Sequence, residues 1–164
     1  MSFRIRIEKE SIKFSCSHFT IFGPDRAEPL HGHNYYVSAE FRLSELDPQL
    51  GMAFDFNLLK PILKEEAEKL DEHILVPTQS PFLALERTPT ELTVTFGKKR
   101  YVFPKEDVME IAAVNITSEE LARDFAMKLK ARFSKHAEFK RITSLTIGIQ
   151  ETRGQTVFYD LTLA

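Results

Sequence analysis

Alternation and helical spacing divide the chain into short strands and two amphipathic helices. Phe3, Ile5 and Ile7 alternate with Arg4, Arg6 and Glu8, the period of a strand with one buried face. A second short strand is expected from about Lys13 to His18, followed by a loop from Phe19 to Leu30 marked by Gly23, Pro24 and Pro29. Tyr35, Val37, Ala39, Phe41 and Leu43 alternate with Tyr36, Ser38, Glu40 and Arg42, which predicts a half-buried antiparallel strand. Leu58, Leu59, Ile62, Leu63, Ala67 and Leu70 recur at three- and four-residue steps, a helix with one apolar face and Pro61 near its first turn.

Leu92 to Phe96 and Arg100 to Phe103 flank Gly97-Lys98-Lys99 and predict a hairpin. Thr117 and Glu120 make a capping-box pattern ahead of Leu121, Ala122, Phe125, Ala126, Leu129 and Phe133, the second helix. Leu145, Ile147 and Ile149, then Val157, Tyr159, Leu161 and Leu163 beyond Gly154, supply two closing strands. Hairpin-linked strands with two helices between them imply an α+β sandwich, an antiparallel sheet with both helices on one face. The other face carries Tyr36, Phe158 and Thr162, and its burial against further copies of the chain is expected.

At 164 residues and 43% hydrophobic, the chain suits one domain, residues 1–164, with a real core. A net charge of -2 without a long basic block argues against a nucleic-acid partner. No run approaches the ~20 apolar residues that span a bilayer, and the N-terminus leads into a strand, so a soluble, cytoplasmic protein is expected. The single cysteine, Cys16, has no internal disulfide partner.

The chemistry gathers around His31-Gly32-His33, with His18 upstream. Residues two apart in an extended segment project to one side, so His31 and His33 can hold one ion together, and His18 offers a third nitrogen. Three nitrogens leave a tetrahedral position for water or substrate, the catalytic pattern of zinc. Two histidines in a polar turn beside an unrelated third are the plainer alternative.

Phe14-Ser15-Cys16-Ser17-His18, His31-Gly32-His33-Asn34-Tyr35, Leu70-Asp71-Glu72-His73, Asn115-Ile116-Thr117-Ser118-Glu119 and Glu151-Thr152 occur in that order. In this the chain resembles the 6-pyruvoyl-tetrahydropterin synthase and 6-carboxytetrahydropterin synthase family over nearly its whole length. The resemblance implies a tunnelling fold (T-fold): a four-stranded antiparallel sheet with two helices on one face, here with an extra hairpin. It further implies homo-oligomers, trimers or hexamers, with active sites between subunits. It implies Zn2+ on His18, His31 and His33, and a small-molecule pterin substrate, typically 7,8-dihydroneopterin triphosphate. Glu151 matches the glutamate that anchors the pterin ring, a role suited to a carboxylate accepting two parallel hydrogen bonds. Thr117, Ser118 and Glu119 match a segment lining the pterin site, although Thr117 and Glu120 also suffice as a helix cap.

Two departures bear on the reaction. The family usually has a catalytic cysteine shortly before the His-Gly-His motif, whereas this chain has Glu28 three residues before His31. That resembles the subgroup associated with cleaving the substrate side chain to 6-hydroxymethyl-7,8-dihydropterin, a folate precursor. Glu28 would be the general base, strengthened if the pocket desolvates it. Cys16 shares the side of its strand with His18; it either approaches the metal or is a buried, inert thiol. Glu72 separates Asp71 from His73, which are adjacent in the family. Asp71 and His73 stay candidate relay partners with His73 as general acid, while a histidine there also serves as a helix cap. Leu83 to Phe103 is either an added hairpin or a cover over the pocket. The alternatives to a zinc-dependent lyase are 6-pyruvoyl- or 6-carboxytetrahydropterin synthesis using Glu28, a non-catalytic pterin- or metal-binding protein, and a structural zinc domain.

Overall fold

A computed structural model describes residues 2–163. The strands are β1 (Phe3–His18), β2 (Ile21–Gly23), β3 (Arg26–Ala27), β4 (His31–Leu43), β5 (His73–Pro77), β6 (Ala84–Arg87), β7 (Glu91–Phe96), β8 (Lys99–Pro104), β9 (Val108–Ile111), β10 (Ile142–Thr152) and β11 (Gln155–Thr162). The helices are α1 (Phe56–Glu68) and α2 (Ser118–Phe133). The main sheet runs β11-β10-β4-β1-β5-β9. Its first four strands are antiparallel, while β5 and β9 join in parallel. This is the α+β T-fold that the resemblance implied, widened at one edge.

Alternation decides which face each strand buries. Tyr35, Val37, Ala39, Phe41 and Leu43 of β4 are buried, as are Leu145, Ile147 and Ile149 of β10. All six apolar positions assigned to α2 are buried beneath it. The opposite face is polar, with Tyr36 and Phe158 exposed. Gly148 is required there, because a Cβ would lie 2.8 Å from the Phe158 ring.

Several boundaries differ from expectation. The two N-terminal strands are one, β1, because the register against β4 shifts between Glu8 and Lys13 without ending the ladder. Helix α1 begins at Phe56, since the Asp55 side chain accepts a hydrogen bond from the Asn57 amide at 2.8 Å. Pro61 therefore falls in the second turn rather than the first, and Leu58 is exposed. The loop from Phe19 to Leu30 contains the small β2-β3 ladder. Residues 83–103 form more than a hairpin, because β6 pairs with β7 and makes a three-stranded sheet with β8. That sheet has its own apolar cluster, in which Leu92, Val94, Phe96 and Phe103 pack with Phe19 and Ile21. It thus braces the segment that follows His18.

Glu66 ties the helices together. It is 4% exposed and accepts from Lys69 Nζ at 2.6 Å and from Arg132 Nη1 of α2 at 3.0 Å. Burial pushes its pKa up, but the bonds from Lys69 and Arg132 outweigh that and hold the carboxyl below its ordinary value. Its contribution is therefore fully present above the unfolded-state pKa and is lost as pH falls through the folded one. Glu66→Ala is expected to cost about 2 kcal/mol at neutral pH, with the difference from the parent shrinking below about pH 4. Urea unfolding at the two pH values measures this.

Candidate active site

The ends of β1 and β4 bring the three histidines together. In their register His18 lies opposite His31, Cys16 opposite His33 and Phe14 opposite Tyr35, so all six side chains share one face. One ring nitrogen from each of His18, His31 and His33 lies within 4.8 Å of the other two. His31 Nδ1 lies 2.8 Å from the Pro29 carbonyl and His18 Nδ1 lies 3.2 Å from the Ile116 carbonyl, which makes each Nδ1 the protonated, donating nitrogen. Their Nε2 lone pairs are left to face inward, and His31 Nε2 stands 2.8 Å from His33 Nε2. Carbonyls that fix the tautomer from behind are the usual support of metal-binding imidazoles. Burial, reinforced by the nearby His31, pushes the His18 pKa down and favours the neutral, ligating form. This donor set could hold a divalent transition-metal ion.

Two carboxyl groups flank the cluster. Glu151 Oε1 lies 3.4 Å from His33 Nε2 and 3.8 Å from His18 Nε2, and it accepts a 2.8 Å hydrogen bond from Tyr35. The Tyr35 hydroxyl is also 3.0 Å from His18 Nε2. Burial, together with the bond to Glu151, pushes the Tyr35 pKa far up, so the phenol remains a donor. Glu28 Oε2 lies 3.9 Å from His31 Nε2 and accepts from the Thr20 amide at 3.1 Å. Desolvation raises the Glu28 pKa, but hydrogen bonds from Thr20 and the proximity of His31 outweigh it, leaving the group below its ordinary value. Donors therefore hold the Glu28 carboxyl below its ordinary value, against the desolvation expected to raise it.

Glu28 and Glu151 line one cavity of about 450 Å³ with Thr117, Ser118 and Glu119. Thr117 also caps α2, its hydroxyl accepting from the Glu120 amide at 3.3 Å, so it combines both expected roles. Thr20, Phe22 and Gln155 line the cavity too and were not anticipated. Tyr35 was assigned only to the core, although its position two residues after His33 is the signal that puts it on the histidine face. Leu83–Phe103 contributes nothing to this lining among the described residues.

Asp71 and His73 lie elsewhere. With Glu72, His73 lines a separate depression of about 360 Å³ bordered by Cys16 and His33. The Asp71 carboxylate accepts from the Ser15 amide at 2.6 Å, while His73 Nδ1 lies 2.6 Å from the Asp71 carbonyl. The inserted Glu72 adopts a left-handed φ of 58°, which spaces the pair so that a carbonyl rather than a carboxylate meets the imidazole. Cys16 is 5% exposed, and burial, with Glu151 and Asp71 nearby, pushes its thiol up to about 12. Of the two alternatives, its burial favours the unreactive thiol.

A family model for 6-pyruvoyl tetrahydropterin synthase matches residues 6–161. The chain belongs to this family. Its members are lyase-type enzymes of pterin biosynthesis. A Methanocaldococcus jannaschii protein, provisionally named 6-carboxy-5,6,7,8-tetrahydropterin synthase, is 30% identical over 148 residues, 90% of this chain and 89% of its own. The 6-pyruvoyl tetrahydropterin synthase of Plasmodium vivax superposes with a TM-score of 0.91 over 99% of both chains at 24% identity, a likeness of fold. A variant of the Plasmodium vivax enzyme, described as a catalytic residue mutant with glutamate replaced by alanine, superposes with a TM-score of 0.87 at 23% identity over 99% of both chains. Among the described residues of this family member, no helix is long and apolar enough to cross a membrane.

Proposed function

We propose that the protein is a zinc-dependent lyase that cleaves the side chain of 7,8-dihydroneopterin or its triphosphate, releasing 6-hydroxymethyl-7,8-dihydropterin. The observation carrying this reading is the Glu28 carboxylate at the histidine cluster, 3.9 Å from His31 Nε2, where the only cysteine of the chain is buried. A glutamate is also named as catalytic in the Plasmodium vivax relative. His18, His31 and His33 would hold zinc, which when bound would supply a Lewis acid for the side-chain hydroxyls. Glu151 anchors the amino-pyrimidinone edge, with Tyr35 donating to Oε1 and leaving Oε2 for the ring. Thr117, Ser118 and Glu119 close the cavity around that ring.

Glu28 takes the proton of the second side-chain hydroxyl. The O–H electron pair becomes the carbonyl bond of the departing aldehyde, the bond between the first two side-chain carbons breaks, and its electron pair moves into the ring imine. Protonation of the first carbon then leaves a hydroxymethyl group, with no net oxidation. His73 is the general acid, its Nδ1 held on the Asp71 carbonyl and its Nε2 giving the proton; Asp71 orients it. Since His73 and Glu28 line separate cavities of one chain, the reading has them meet across subunits of a homo-oligomer, a trimer or hexamer.

The names of the curated relatives favour a second reading, 6-carboxytetrahydropterin synthesis with Glu28 in the cysteine's role. Incubating zinc-loaded protein with dihydroneopterin and its triphosphate, then weighing products by mass spectrometry, separates the two. Hydroxymethyl-dihydropterin is expected. A pyruvoyl or carboxy product would overturn the side-chain cleavage.

A further inference from the structure

We propose that Asn115 is a positioning residue that holds His18 and Glu28 in register with each other, so that the metal-binding imidazole and the proton-accepting carboxylate stay together at the histidine cluster. This rests on the roles given above to His18 and Glu28. Asn115 lies in the turn before α2 and pairs with the backbone of Ile21 at two points. Its Oδ1 accepts from the Ile21 amide at 3.0 Å, and its Nδ2 donates to the Ile21 carbonyl at 2.9 Å. Oδ1 also accepts from the Ile116 amide at 3.0 Å.

The neighbours of these two partners reach the chemistry. The Ile116 carbonyl accepts from His18 Nδ1 at 3.2 Å and from Thr20 Oγ1 at 3.4 Å. Thr20, beside Ile21, donates its amide to Glu28 Oε2 at 3.1 Å and accepts the Glu28 amide at its own carbonyl at 3.0 Å. Moving Ile21 therefore moves Thr20 and Glu28, while shifting Ile116, whose amide Asn115 holds, displaces the carbonyl that fixes the His18 tautomer. Ile21 and Asn115 stand 94 positions apart in the chain, too far for any local constraint to do this. Nor does the sheet, because β2 has three residues and pairs with a two-residue strand. The pairing needs a carboxamide. Aspartate would set an oxygen against the Ile21 carbonyl, and alanine would leave that peptide without partners on both sides.

Asn115→Asp and Asn115→Ala, made in the full chain, test this. Zinc affinity is read by competition with a chromophoric chelator, kcat and KM by product formation, and folding by thermal melting. Both variants are expected to bind zinc about 10-fold more weakly and to lose about 10- to 100-fold in kcat, with KM changing less than about threefold. Asparagine serving only to stabilise the loop would lower the melting temperature but leave zinc affinity and kcat of the folded protein at parental values. That result overturns the proposal. If Asn115→Ala does not fold, Asn115→Asp decides alone, since it keeps the size and the acceptor oxygen. Weaker zinc binding in a protein that makes no hydroxymethyl product would refute the reaction above and leave the positioning role intact.

Discussion

Glu28→Gln is expected to lose about 100- to 10,000-fold in kcat while keeping its zinc, the loss typical of a missing general base. The substitution is nearly isosteric, and its amide oxygen can still accept from the Thr20 amide, which now meets Glu28 Oε2 at 3.1 Å. What disappears is a lone pair able to take a proton near His31. The pH profile carries the same logic. Because Glu28 sits below its ordinary carboxylate value, the carboxylate is the base throughout neutral and mildly acidic solution, and its activity declines only as pH falls through that lowered value. An acid limb between pH 5 and 8 would therefore belong to an imidazole, not to Glu28. Near-parental turnover in zinc-loaded Glu28→Gln would remove the base from the mechanism.

Glu151→Gln is expected to lower kcat/KM by about 30- to 5,000-fold, mostly through KM, the range for breaking a buried, charged hydrogen-bonded contact. Tyr35 donates to Oε1, so the glutamine oxygen would be held by the phenol and its NH2 would turn toward the pterin edge. Two donors would then face each other where one donor and one acceptor are needed. Fluorescence titration with 7,8-dihydropterin measures the loss directly. A parental Kd would mean that the ring is anchored elsewhere. Zinc content should hold, as the three imidazoles are untouched.

Alternation made much of this fold and site legible. It put His31 and His33 on one side of β4 and filled the face of β10, as helical spacing filled that of α2, because those patterns record a single buried side. It missed β5 and β9, whose four or five residues are too few to show a period. It split β1 because a register shift interrupts alternation without breaking the ladder. Glu28 was legible through the family resemblance, but its surroundings were not: the bonds of Thr20 and Asn115 are set by tertiary packing. His73 was visible too. Its contact is still with Asp71, but the left-handed Glu72 backbone exchanges the carboxylate for the carbonyl. Desolvation of Glu28 was overrated because neighbouring donors cannot be counted along a sequence.

Anomalous diffraction from crystals of the zinc-loaded protein, collected on both sides of the zinc absorption edge, is the decisive measurement. A single strong peak is expected between the Nε2 atoms of His18, His31 and His33, on the side open to Glu28. No peak there, or zinc bound only at other residues, would contradict the proposed chemistry.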